Sequence, residues 1–326
     1  MAARSLVVLV LAALVAAVPL AAGAQTFPDR PVTMVVPFPP GGPTDVVGRI
    51  AGERMARALG QSVIIENASG AGGTIGTAKV ARAPADGYTI CVGQLNSHVF
   101  GTAVYNTPYN VLDDFEPVGV ISISALLLGG RGDLPAANVR ELAAWLKALP
   151  QPSPFATIGA GSPPHVWAIG FANQTGARFQ YVPYRGGAPA IQDMLAGRID
   201  LSVLEASSLL PHVNAGKLKA YGLLNLTRWK VAPDVPTLAE QGFPGYEMPF
   251  WTALFVRKGV PREIVVRLNA ALVESLADPA LVKRFGEMGQ EIPALAEQTP
   301  QALAARHRAD IEKWWPLIKA ANIKVE

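Results

Sequence analysis

Apolar positions along this chain fall into two alternating kinds of run. Short runs with little polar interruption read as strands buried on both faces. They are Pro31 to Val36, Ser62 to Glu66, Tyr88 to Val92, Phe155 to Ile158, Phe179 to Val182, Ile199 to Val203, Leu218 to Leu224 and Trp251 to Val256. Longer segments between them repeat at helical spacing. In the first, Val47, Ile50, Ala51, Met55, Ala58 and Leu59 share one face, and Gly60 is placed to end it. Further helices are expected at Thr74 to Ala83, Val139 to Leu149, from Ser162 to Thr175, from Pro189 to Ala196 and at Ser207 to Ala215. Others are expected from Pro233 to Thr237 onward and at Arg262 to Leu276, Pro279 to Met288 and Pro300 to Lys319. Strands alternating with helices predict an α/β fold with parallel sheets, in which ligands collect at the carboxyl ends of strands.

Glycine-bearing turns join several of these strands to the helices that follow. In Val36-Pro37-Phe38-Pro39-Pro40-Gly41-Gly42-Pro43 the prolines stiffen the turn. Gly41 and Gly42 leave the backbone open to a ligand, and Pro43 suits a first helical position. Free N–H groups at such a helix start suit a small anion such as a carboxylate. The device recurs at Asn67 to Gly73, Gly159 to His165 and Pro183 to Pro189. Gly70, Gly72 and Gly76 do not make a dinucleotide fingerprint, which needs its third glycine one place earlier, and no Gly-Lys-Ser/Thr ending marks a nucleotide loop. Gln94 to His98 reads as one more loop at a strand end. Tyr184 offers a flat face with a hydroxyl and Arg185 a fork that fits a carboxylate. Ser162 suits a helix cap or a ligand donor, and His165 suits either a ligand contact or a bond back to its own turn.

Composition narrows the reading. Residues 1–24 carry Arg4, an apolar run from Leu6 to Leu20 and Ala22-Gly23-Ala24 before Gln25, the pattern of a signal peptide cleaved near Ala24. Half of the 326 residues are hydrophobic and 16% are charged, which suits filled cores rather than disorder. A net charge of +3, without basic stripes interleaved with aromatics, gives no nucleic-acid footprint. Cys91 is the only cysteine, so no intramolecular disulfide is possible, and its apolar setting reads as packing. His98, His165, His212 and His307 show no metal-ligand spacing, and neither a metal nor a cofactor is expected. Trp314 and Trp315 read as packing residues near the end of the last helix. The apolar series Ile121 to Leu128 marks a first crossing between two lobes and Leu218 to Leu224 the return. The expected division is 25–120 with 225–326 in one lobe and 121–224 in the other.

The motifs together resemble the Bug family, periplasmic solute receptors of tripartite tricarboxylate transporters. The resemblance rests on Val36 to Gly42 with Asp45, Gly70 to Gly76, Pro84 to Thr89, Gly161 to His165 and Val182 to Pro189 with Asp193 to Asp200. It continues through Ala215 to Leu218, Pro233 to Thr237 and Gly242 to Glu247, so it spans the chain after the leader. It implies a periplasmic binding protein type II-like fold, two α/β lobes joined by a hinge with the ligand cleft between them. It implies that the first two glycine turns hold a small organic acid from one lobe, largely through backbone groups, and that the Ser162–His165 and Tyr184–Gly187 loops face it from the other. Pro43 departs from the family's small or hydroxylated residue, Ala68-Ser69 replaces a basic residue and proline, and Ser97 to Thr102 lacks the usual Asn-Pro.

The expected function is a monomeric periplasmic receptor that captures a dicarboxylate, tricarboxylate or aromatic carboxylate by hinge closure and delivers it to transmembrane permease subunits. In the first lobe the candidate ligand-binding residues are Phe38, Pro39, Gly41, Gly42, Thr44 and Asp45, then Gly70, Gly72 and Gly73, then Ser97 and His98. In the second they are Ser162, His165, Tyr184, Arg185, Gly186 and Asp193, with Trp167 a candidate for shaping the pocket. The alternative is a secreted serine hydrolase using Ser162, His165 and Asp193. Against it, Gly159 to Pro163 is not a Gly-x-Ser-x-Gly elbow, and Ser162 and His165 share one helix start.

Overall fold

The computed structural model describes residues 27–323, so the expected signal peptide lies outside the described residues. The chain builds two five-stranded sheets in succession. The first lobe opens with β1 (Val32–Val36), α1 (Pro43–Leu59), β2 (Val63–Asn67), a short turn at Ala71–Gly73, α2 (Thr74–Ala81) and β3 (Thr89–Gln94). After β4 (Phe115–Ser124) the second lobe takes β5 (Leu126–Arg131), α3 (Val139–Ala148), β6 (Ser153–Thr157) and α4 (Pro163–Thr175). It continues with β7 (Phe179–Pro183), α5 (Gly187–Leu195), β8 (Leu201–Glu205), α6 (Ala206–Asn214) and β9 (Leu218–Leu223). The chain then returns through β10 (Phe250–Arg257) to α7 (Arg262–Leu276), α8 (Pro279–Glu287) and α9 (Pro300–Ala320).

Sheet order is β2-β1-β3-β10-β4 in the first lobe and β7-β6-β8-β5-β9 in the second. Each sheet is parallel on one side and antiparallel on the other, a mixed arrangement where sequence alternation predicted parallel sheets. β1 pairs parallel with β2 and β3, whereas β10 runs antiparallel to both β3 and β4. In the second lobe β6 pairs parallel with β7 and β8, and β5 is antiparallel to β8 and β9. The antiparallel strands are those that carry the chain between lobes. An outgoing and a returning strand that lie side by side must run in opposite directions.

Two boundaries differ from the sequence reading. Ile121 to Ser124 continue β4 and pair with β10, so the first crossing falls at Ala125. The return falls at Pro249 rather than after Leu224. Thr237 bridges Leu223, the Met248 N–H donates to the Leu224 carbonyl at 2.8 Å, and Trp229 is buried against the second lobe's core. The segment from Pro233 to Thr237 forms turns instead of starting a helix. The Thr237 N–H donates to the Glu240 carboxylate and the Glu240 N–H to the Thr237 hydroxyl, a capping box that holds the turn after it without growing into a helix. Gln94 to His98 is not an open loop either. Leu95, Val99 and Phe100 anchor a buried helical turn, on which Trp314 packs, and the Trp315 indole donates to the Val99 carbonyl. Cys91 is fully buried, and burial pushes its thiol up to about 12 against a hydrogen bond from Thr77.

Gly76 in α2 sets the height of the two first-lobe turns, because an added Cβ there would stand 2.6 Å from the Ala68 carbonyl and 2.8 Å from Pro37 Cα. Backbone atoms at that distance cannot yield cheaply. Gly76→Ala is expected to lower unfolding free energy by about 1–3 kcal/mol in chemical denaturation. Gly286→Ala, a helical site with nothing within 4 Å, is expected to raise it by about 0.5–1 kcal/mol. Equal effects at the two sites would contradict this account of the packing.

Candidate functional site

The strand-to-helix turns of the two lobes face each other across one cleft. It divides into two adjoining compartments, each of about 470 Å³. Phe38, Pro39, Ser69, Ile158, Arg185 and Gly186 line both. The outer compartment adds Gly70 to Gly73, Tyr105, Gly159 and Tyr184. The inner one adds Gly41 to Thr44, Gln94, Pro163, Pro164, Glu205, Ser208 and the apolar floor of Leu126, Val203 and Phe250. Cavities of this size suit a small ligand.

Helix ends explain what the cleft presents. The N-caps of α1, α4 and α5 are Gly42, Ser162 and Gly186, and none carries a side-chain cap bond. Away from the cleft, α3, α8 and α9 are capped by the side chains of Asn138, Asp278 and Thr299, although α7, after Pro261, is not. Orphan first-turn donors are therefore left open where the lobes meet. Among the described residues the N–H groups of Gly42, Thr44, Ala71, Gly72, Gly186, Gly187 and Ala188 find no protein acceptor. In the second turn the carbonyls of Gly70, Ala71 and Gly72 are engaged by the Gly73 N–H, the Thr74 hydroxyl and the Asn96 amide respectively. What remains facing the cavity is a set of donors from both lobes with the exposed Arg185 guanidinium beside them. Arg185 makes no ion pair among the described residues.

Asp45 stands beneath this surface. Its side chain is only 2% exposed and accepts from the Gly41 N–H at 2.8 Å, from Arg49 at 2.9 Å and from the Asn67 amide at 2.8 Å. Burial opposes its charge, yet the bonds from Arg49, Gly41 and Asn67 outweigh burial and hold the carboxyl below the ordinary range. The same Asn67 amide donates to the Phe38 carbonyl at 3.0 Å, so one carboxylate ties both turns together. The Gln94 amide donates to the Thr44 hydroxyl at 2.8 Å at the inner wall.

The sequence profile of the tripartite tricarboxylate transporter family receptor, TctC, matches residues 47–323. The chain belongs to this family. It is 34% identical to the protein BugT of Bordetella pertussis over 305 residues, covering 93% of each chain. The structure of the periplasmic binding protein BugD is similar at a TM-score of 0.84, with 36% identity over 92% of this chain and all of that one. MatC from Rhodopseudomonas palustris, solved with bound malate, superposes at a TM-score of 0.85 with 34% identity, over 90% of this chain and 100% of its own. The two-lobed architecture is thus that of the Bug and TctC periplasmic binding proteins, and the chain is a solute-binding receptor of that family. No helix among the described residues is long and apolar enough to cross a membrane.

Of the candidate residues, Phe38, Pro39, Gly41, Gly42, Thr44, Gly70, Gly72, Gly73, Tyr184, Arg185 and Gly186 line the cleft. The others do not, and each has a supporting place instead. Asp45 holds the first turn. Ser97 packs under Gly73, whose added Cβ would meet it at 2.8 Å, and its hydroxyl accepts from the Gln94 N–H. His98 lies wholly inside the first lobe, stacked on Phe255 at 4.3 Å, and burial holds its pKa well below the ordinary value. Ser162 accepts from the Ile158 N–H at 3.3 Å, and His165 Nδ1 accepts from the Gly161 N–H at 3.2 Å with its ring on Tyr181. Asp193 accepts from the Tyr184 hydroxyl at 2.6 Å and from Arg198 at 2.9 Å, which steadies Tyr184 at the wall. No hydrogen bond among the described residues joins Ser162, His165 and Asp193 as a triad. Trp167 is fully buried between Phe155 and Phe171 in the second lobe's core.

Sequence reasoning missed Ser69, Gln94, Tyr105, Ile158, Glu205 and Phe250. For Ile158 the available signal was its place at the carboxyl end of a predicted strand, and for Tyr105 there was none. Glu205, the last residue of β8, gave none.

Asp45→Ala is expected to cost about 1–3 kcal/mol, since it strands buried donors. Asp45 is held below its unfolded-chain pKa, so its contribution is complete above that pKa and fades as pH falls through the lower folded value. The stability gap between wild type and Asp45→Asn in urea titrations is therefore widest near neutrality and narrows in acid.

Proposed function

We propose that this receptor captures a small organic carboxylate between its lobes and hands it to the membrane permease of a tripartite tricarboxylate-type transporter. The observation that carries the reading is the convergence of uncapped helix starts and unpaired N–H groups from both lobes on one cleft, beside Arg185. Main-chain donors at helix starts hold a carboxylate without a fixed countercharge. A ligand touched by both lobes favours the closed arrangement, because only there are both sets of contacts made. The bound malate of MatC supports a dicarboxylate as one member of the small-carboxylate class, within which tricarboxylates and aromatic acids are further candidates. In this reading the chain is exported to the periplasm with its leader removed near Ala24, acts as a monomer, and catalyses no reaction. The separate engagements of Ser162, His165 and Asp193 support the last point.

Isothermal calorimetry against dicarboxylates, tricarboxylates and aromatic acids is expected to give saturable one-to-one binding for at least one class, and ligand addition to reduce the radius of gyration in X-ray scattering. An absence of heat across the whole panel contradicts the reading.

Closure has a second test at Gly161, where an added Cβ would stand 2.1 Å from Val104 Cγ2 of the opposite lobe. Gly161→Ala is expected to weaken binding, and Val104→Ala in the same chain to restore part of the loss. Additive effects would show that lobe contact at this point is not coupled to binding.

A further inference from the structure

The inner compartment holds an acidic group with one oxygen to spare. Glu205 closes β8 where α6 begins and lines the cavity over the apolar floor of Leu126 and Phe250. Its Oε2 accepts from the Ser124 hydroxyl at 3.1 Å and from the Gln290 amide at 3.4 Å. The Gln290 carbonyl oxygen in turn accepts from the Ser122 hydroxyl at 2.8 Å. Ser122 and Ser124 lie on β4 and Gln290 follows α8, so the whole relay comes from the first lobe and converges on a side chain of the second. All of it falls on Oε2. Oε1 has no protein donor among the described residues.

Both partners donate, an arrangement that favours the ionised carboxyl, yet no cation is paired with it. Arg185 is the only other charged side chain lining the same compartment, and it makes no ion pair with Glu205. Burial is the larger influence, and the carboxyl rises to about 7 against the pull of Ser124 and Gln290. A half-buried carboxylate without a cation is a costly arrangement unless a ligand supplies one.

We propose that Glu205 is the specificity-determining residue of the cleft and receives an ammonium group of the ligand. The ligand class is then a carboxylate that also bears a separate primary amine, with the carboxylate held by the main-chain donors and the amine on Oε1. This rests on the carboxylate-receptor reading above and narrows it. A second carboxylate at this end would meet Glu205 as a like charge, or would have to bring a proton with it.

Calorimetry on the full mature chain with three series of matched length tests the inference: ω-amino acids, α,ω-diacids and plain monocarboxylates, each from three to six carbons. Near or above neutrality, the best ω-amino acid is expected to bind wild type at least about tenfold more tightly than the diacid or monoacid of its length. Glu205→Gln, which keeps the shape and still offers an oxygen to Ser124, is expected to erase that preference and to improve the diacid. Repeating the titration just below neutral pH in buffers of different ionisation enthalpy adds a readout that packing alone would not move. The amine ligand is expected to release a proton from Glu205, and a diacid to take one up.

A diacid that binds wild type as tightly as the amine series, with the same ranking in Glu205→Gln, overturns the assignment and leaves the carboxylate receptor standing. No heat from any acid, in these series or in the wider panel, overturns both. The preference is read first on wild type, so the inference remains falsifiable even if the variant fails to fold.

Discussion

Asp45 holds together the parts of this protein that meet the cleft. Its carboxylate sits under the first glycine turn and takes the Gly41 N–H, the Arg49 guanidinium and the Asn67 amide at once. Asn67 is the last residue of β2, and the second glycine turn begins just beyond it. One buried charge thus fixes the end of β1, the start of α1 and the end of β2 relative to one another. The turn at Gly41, with φ at +79°, is a conformation that other residues resist, and the Asp45 bond to its N–H is what stabilises it there. Without that anchor the prolines would still stiffen the loop, but nothing would set its direction.

From this follows a division of labour between helix ends. Three helices outside the cleft close their first turns with Asn138, Asp278 and Thr299. At the cleft the same positions are held by Gly42, Gly186 and a Ser162 whose hydroxyl is engaged elsewhere. A glycine at the start gives up roughly a few tenths of a kcal/mol of helix stability relative to a side-chain cap. The protein tolerates that cost at Gly42 and Gly186, and a guest that supplies acceptor oxygens takes the place of solvent on those donors. Since the donors come from both lobes, that exchange is complete only when the lobes approach. Tyr105 and Val104 of the first lobe already reach Gly159 and Gly161 of the second.

Much of this was legible in the chain. Apolar runs and glycine stops placed most strands and helices, and the proline-glycine turns revealed the helix starts because their chemistry is local. The features that stayed hidden are those made by distant residues. His98 looked available in a polar stretch from Gln94 to His98, but Leu95, Val99 and Phe100 pull that stretch inward as a helical turn, and His98 ends against Phe255 and His307. The antiparallel directions of β5 and β10 leave no trace in an alternating pattern, since pairing direction depends on where the chain enters or re-enters a sheet. The excursion from Leu224 to Met248 kept its place in the second lobe through Trp229 and the Thr237 bridge, neither of which periodicity can reveal. Glu205 carried no signal in the sequence, where it is one acidic residue following the apolar run Ile199 to Val203. Its partners lie 81 and 85 residues away, and only the fold brings them to it.

Whether donors from the two halves act on one guest is settled most directly by a crystal structure of the protein with a bound acid. The account predicts carboxylate oxygens within hydrogen-bonding distance, directly or through one water, of N–H groups in the Gly42–Thr44 or Ala71–Gly72 turns and also of those in Gly186–Ala188. A carboxylate bound by one lobe alone, with the facing turn turned away from it, would contradict the account.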